Sequence, residues 1–76
     1  MINELGTVVL THDIEEYDLK QGDIGTAVHV YKNNAAYEVE FITGEGETIA
    51  VLTLTPDDIR AMGEREILHA RPLVAV

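Results

Sequence analysis

The chain of 76 residues contains no cysteine, no serine and no tryptophan, and only two prolines, one phenylalanine and five basic residues. Each absence removes a class of explanation. Without cysteine there is neither a disulfide framework nor a thiolate zinc site, so a domain this small must be held by apolar burial alone. Without serine or cysteine there is no nucleophile for an acyl-transfer triad. Five bases against fourteen acids give a formal charge of -9. Phosphate contacts require Lys and Arg, so this balance argues against a nucleic-acid ligand and equally against an anionic membrane surface. The first five residues carry no base and no long apolar run, so neither a signal peptide nor a membrane-spanning helix is expected. The expectation is a soluble, cytoplasmic protein.

What is present suits a small globular fold. Hydrophobic residues make up 46% of the chain, enough for a core, and residues 1–76 read as one domain without linker, repeat or low-complexity segment. A chain of this length buries only about 60% of its unfolded surface, which leaves room for further burial against a partner. The charge is uneven: up to Asp58 there are twelve acids and two bases, and beyond it two acids and three bases.

Thr7-Val8-Val9-Leu10-Thr11 is β-branched and apolar and reads as a first strand. Residues 12–22 form an acidic loop, pinned by Ile14, Tyr17 and Leu19, with space for one helical turn. Gly22-Asp23-Ile24-Gly25 is a turn into a strand over residues 24–31, whose alternation puts Ile24, Thr26, Val28 and Val30 on one face and Ala27, His29 and Tyr31 on the other. Lys32-Asn33-Asn34-Ala35 is a hairpin loop, since Asn tolerates the left-handed region. Residues 36–43 alternate again, with Tyr37, Val39 and Phe41 opposite Glu38, Glu40 and Ile42. After Gly44-Glu45-Gly46, residues 47–55 are apolar on both faces, with Ile49 and Val51 against Ala50, Leu52 and Leu54. Thr55-Pro56-Asp57-Asp58 carries helix-start signals, with Gly63 as the closing cap, so a helical turn is expected over residues 56–62. A last strand is expected over residues 65–71, ended by Pro72. The expected core is Val8, Leu10, Ile24, Val28, Val30, Tyr37, Val39, Phe41, Ile49 and Val51.

Four to five short strands with tight turns and one helical turn give an all-β class: a small SH3-like, KOW-like antiparallel barrel. The stretch from Gly22 to Val28 resembles the turn-and-strand core of KOW-type modules. Nearly the whole chain resembles the bacterial family known as domain of unknown function 4926. That resemblance is carried by Thr7-Val8-Val9-Leu10-Thr11, Leu19-Lys20-Gln21-Gly22-Asp23-Ile24-Gly25-Thr26, Tyr37-Glu38-Val39-Glu40-Phe41 and Ile49-Ala50-Val51-Leu52-Thr53-Leu54. It implies an SH3-like barrel and brings no activity or catalytic residue with it. The segment after Arg60 departs from the family, whose domains tend to stop soon after that point.

No candidate chemistry survives inspection of spacing. His12 beside Asp13 suggests a base, but neighbours on a strand point to opposite faces. His12, His29 and His69 lack metal-ligand spacing, and the acidic run from Asp13 to Asp23 lacks the glycine and the terminal acid of a calcium loop. Glu38 and Glu40 share one strand face; paired carboxylates can serve acid/base chemistry, but these read as an acidic stripe. No catalytic, metal or cofactor site is therefore expected, and the chain is not read as an enzyme. Tyr31, Ile42, Leu52 and Leu54, assigned to the outer face, are expected to form an apolar docking surface rimmed by Glu38 and Glu40. It is covered either by the C-terminal segment or by another chain. The expected function is an acidic protein-binding module for a basic partner or for its own copy. The alternatives are an antitoxin or immunity-type protein neutralising a cationic toxin, and a nucleic-acid or ribosome-associated KOW-like module.

Overall fold

The computed structural model describes residues 2–73. Its regular structure is five strands: β1 (Thr7–Leu10), β2 (Ile24–Val30), β3 (Tyr37–Ile42), β4 (Thr48–Leu54) and β5 (Ile59–Ala61), with single 3-10 turns at Glu15–Tyr17 and Lys32–Asn34. All pairings are antiparallel, in one sheet ordered β4-β3-β2-β1-β5. The fold is all-β, consistent with the small barrel expected. Its core is Val8, Leu10, Leu19, Ala27, Tyr37, Val39, Phe41, Leu54 and Ile59.

Two strands face differently from their simple alternation, for a shared reason. In β2 the inward positions are Gly25 and Ala27, while Ile24 and Val28, expected in the core, are only half-buried. Large residues of β3 fill the space that β2 leaves: a Cβ on Gly25 would stand 2.7 Å from a Val39 methyl and 2.9 Å from the Phe41 ring. A bulge between Ala27 and His29 then shifts the phase, so that Val30, paired with Tyr37, packs on the core.

A second bulge, between Phe41 and Ile42, sets β4. Ile42 pairs with Thr48 but Phe41 pairs with Ala50, so Ala50, Leu52 and Leu54 follow the inward phase of Phe41, Val39 and Tyr37. Ala50 and Leu54 are buried, and Leu52 and Ile49 pack against the core, while Val51 is 52% exposed. The expected facing of β4 is inverted. Its apolar character on both faces is absorbed by the bulge, which lets Ile49 and Ala50 pack inward in succession.

The expected helix over residues 56–62 is a tight turn followed by β5. Asp58 folds back on Thr55, its carboxylate accepting from the Thr55 amide at 2.9 Å and the Thr55 hydroxyl at 3.1 Å, while its own amide donates to the Thr55 carbonyl. The chain is then captured by β1: Ile59 is buried and pairs with Leu10. Cap residues close a turn as readily as they open a helix, and the β1 edge decides the outcome. The expected last strand over residues 65–71 has no ladder among the described residues. In its place is a turn from Gly63 to Glu66 and then a strap without regular structure.

The loops behave as the residue types require. Asn33 and Asn34 adopt φ of 60° and 54°, and the Asn34 side chain donates to the buried Tyr37 hydroxyl at 3.1 Å and to the Ile2 carbonyl at 3.2 Å. Leu19 is buried and Ile14 packs beside it, bridging back to Leu19, whereas Tyr17 stays exposed.

Candidate functional site

The bulges redistribute the residues expected to form a docking surface. Leu54 is buried and half-buried Leu52 packs against the core, so both face inward and not onto the outer face. Tyr31 and Ile42 are exposed but stand at opposite ends of the β2–β3 hairpin, Tyr31 before its turn and Ile42 at the end of β3. Tyr31 meets the His29 ring edge to face, with centroids 4.7 Å apart. The single patch expected from the sequence does not form.

The outer face of β3 and β4 is a different surface. Glu38 lies opposite Thr53, and Glu40 opposite Val51. The Thr53 hydroxyl donates to Glu38, and the Thr48 hydroxyl to Glu40 at 2.8 Å. Both carboxylates are thus held in place by β4 threonines. Val51 and the 55% exposed Ile42 supply the apolar element beside them. Because β4 ends the sheet, with β3 as its one strand neighbour among the described residues, its outer edge continues this surface.

A groove of about 640 Å³ opens at the end of the sheet where β2 starts and β3 ends, between Ile42, Gly44 and Ile49 on one side and strap residues 68–73 on the other. The strap is fixed there by Asp23, which is 8% exposed. Arg71 donates from Nε to Asp23 Oδ1 at 2.8 Å, and from Nη2 to Asp23 Oδ2 at 2.5 Å and to the Asp18 carbonyl at 2.6 Å. The Lys20 amide donates to Asp23 Oδ2 at 2.8 Å, and His69 Nε2 lies 3.3 Å from Oδ1. Burial works to raise the Asp23 carboxyl, but the Arg71 and Lys20 hydrogen bonds outweigh it and hold the group below its ordinary range. Upstream, a bidentate pair between Arg60 and Glu66, at 2.6 and 2.7 Å, sets the turn that aims the strap. With the Gly63 amide also donating to it, the Glu66 carboxyl is lowered to about 2.

The three histidines are dispersed, each with its own neighbour: His12 with Asp58, His29 with Tyr31, and His69 with Asp23. Among the described residues no three His, Asp or Glu side chains converge on a common point. His12 Nε2 lies 2.8 Å from Asp58 Oδ1 and Nδ1 lies 2.9 Å from the Asp13 carbonyl. Both ring nitrogens face acceptors, the Asp58 carboxylate first, which raises the His12 pKa.

The sequence reading missed Asp23 and Arg71 as a pair. Asp23 stood in a turn and Arg71 before a proline, and a separation of 48 positions carries no local signal. The unusual presence of an acid between two glycines ahead of an apolar strand was the one available hint.

Among the described residues no helix is long and apolar enough to cross a membrane. No curated protein and no solved structure matches the chain. One family pattern does, over residues 4–61. It takes in all five strands and Asp23 and leaves the strap with Arg71 outside. On that match over more than half of its length, the chain belongs to the family described as a domain of unknown function, DUF4926.

Proposed function

We propose that the protein is a protein-binding module rather than an enzyme, and that it docks a basic protein segment on the outer face and free edge of β3 and β4. The observation that carries this reading is the arrangement of that face. Glu38 and Glu40 are fixed by hydrogen bonds from β4 threonines, beside exposed Ile42 and Val51 and next to a sheet edge with no strand partner among the described residues. An extended segment added to such an edge gains main-chain hydrogen bonds, while alternate side chains meet the carboxylates. The net charge of -9 speeds the encounter with a cationic partner and opposes association of two identical copies. A cationic toxin falls within this partner class; nucleic acid and anionic membranes fall outside it.

The test is quantitative affinity capture from native extract with the wild type and a Glu38→Gln/Glu40→Gln/Val51→Asp variant, at low and high salt. Basic proteins held by the wild type should be lost from the variant and released by salt. Capture that is unchanged in the variant, or a catch dominated by nucleic acid, defeats the proposal.

A further inference from the structure

Asp23 is the one buried charged side chain among the described residues, and its counter-ion comes from a segment beyond the family match. We propose that Asp23 and the Asp18 carbonyl form a socket for an arginine of a basic partner segment, and that strap residues 68–73 occupy it as a built-in competitor. The proposal rests on the protein-binding reading above and adds the chemistry of the partner: an extended segment bearing an arginine next to apolar residues.

Three observations carry it. The acceptors belong to the barrel, not to the strap. Leu10 donates to the Asp23 carbonyl and Gly22 to the Leu10 carbonyl, both at 2.9 Å, which ties this turn to β1. Lys20 orients the carboxylate, and Asp18 is set in the left-handed region after the 3-10 turn, its amide bonded to Glu15. The acceptors are therefore placed before any arginine arrives, in the forked pattern that a guanidinium matches and an ammonium does not.

Second, apart from the polar contacts of Arg71 and His69 with this turn, little holds the strap in its place. It joins no ladder, and its Ile67 and Leu68 side chains are 93% and 70% exposed, so little apolar burial opposes its departure. Third, the adjoining groove, walled by Ile42, Gly44 and Ile49, offers space for an apolar side chain flanking the incoming arginine. Asp13 and Asp18 add to the negative field that already acts on Arg71.

The experiment titrates the peptide acetyl-Leu-His-Ala-Arg-Pro-Leu-amide, the strap's own sequence, into the ¹⁵N-labelled full chain, as wild type and as Arg71→Ala, with amide shifts as the readout. Arg71→Ala, which empties the socket without touching its acceptors, should bind the peptide about tenfold more tightly than wild type. The shifts should centre on Asp18, Lys20, Asp23 and Gly25. Replacing the peptide's arginine by lysine should weaken binding about tenfold, as expected for loss of a bidentate contact, and adding Asp23→Asn should abolish it. The spectrum itself reports whether Arg71→Ala is folded; if it is not, Arg71→Lys keeps the charge, loses the fork and should give the same order of affinities. Equal binding to wild type and variant, no binding to either, or binding indifferent to Asp23→Asn overturns the proposal. Shifts confined to β3 and β4 overturn the socket while leaving the protein-binding reading intact.

Discussion

Both nitrogens of the His12 ring face acceptors, so its second proton is held more firmly than in a free imidazole. The Asp58 hydrogen bond is the leading cause and the Asp13 carbonyl the next. A group whose pKa is raised by folding contributes stability that is fully present below the unfolded value of 6.5 and is lost as pH rises through the folded value. A proton NMR titration of the His12 ring should give a midpoint above 6.5 in the wild type, falling back toward it in Asp58→Asn. An unshifted wild-type midpoint would falsify the pairing. Gly25 makes a steric prediction at the same scale. An added Cβ meets Val39, Phe41 and the Glu40 carbonyl at 2.7, 2.9 and 3.0 Å, the last of these being backbone. Gly25→Ala should therefore cost about 1–3 kcal/mol, as overpacking does, measured by urea denaturation. Phe41→Ala, which empties a buried ring position, should cost about 3–5 kcal/mol.

The element that most rewards comparison with its sequence is β4. Strand positions and turns were legible throughout the hairpins, because alternation, paired glycines and paired asparagines are local signals. Facing was legible in β1 and β3, where large apolar residues mark one side. It was not legible in β2 and β4, because a bulge changes phase within the strand and depends on the partner strand's side chains. The helix expected after Thr55 failed for a related reason: its cap residues are local, whereas the β1 edge that claims Ile59 lies far away in the chain. The docking surface suffered most, since Leu52 and Leu54 were placed on it by the inverted phase and only Glu38, Glu40 and Ile42 stay together. The phase itself is testable. Leu54→Ala should cost about 2–5 kcal/mol and Val51→Ala less than about 0.5 kcal/mol. Leu52→Glu should destabilise the isolated monomer, because its side chain packs on the core. Equal effects of Leu54→Ala and Val51→Ala would restore the opposite facing.

For the molecule as a whole, three carboxylates among the described residues are held below their ordinary range by folding. Asp58 is lowered first by the Thr55 amide and then by His12, Glu66 first by Arg60, and Asp23 by Arg71 and Lys20 against the opposing effect of burial. Depressed carboxyls contribute stability that is present above their unfolded pKa and lost as pH falls through the folded values. The melting temperature should therefore drop as pH falls below about 4, the range where unfolded carboxyls titrate. Asp23→Asn should flatten that slope if calorimetry is run over the same interval. At neutral pH the surplus of acids predicts no measurable binding of random-sequence DNA or RNA at physiological salt. Salt-sensitive micromolar binding in a fluorescence-anisotropy titration would revive the ribosome-associated alternative.

The placement of β1 between β2 and β5 has a kinetic consequence. β2, β3 and β4 are joined by short turns, such as the one that brings Thr43 and Glu47 together across four positions. The β1–β5 seam closes over a far longer separation; just beyond the end of its ladder, Thr11 bonds to Asp57 across 46 positions. Loop-closure entropy separates two such closures by about 2 kcal/mol, so the three-stranded meander should form on the way to the folding barrier and the seam after it. Val39→Ala should then slow folding, whereas Ile59→Val should chiefly speed unfolding, a contrast that stopped-flow chevron plots resolve. The last step in forming the sheet would be to close β5 over β1, shortly before the strap reaches Asp23.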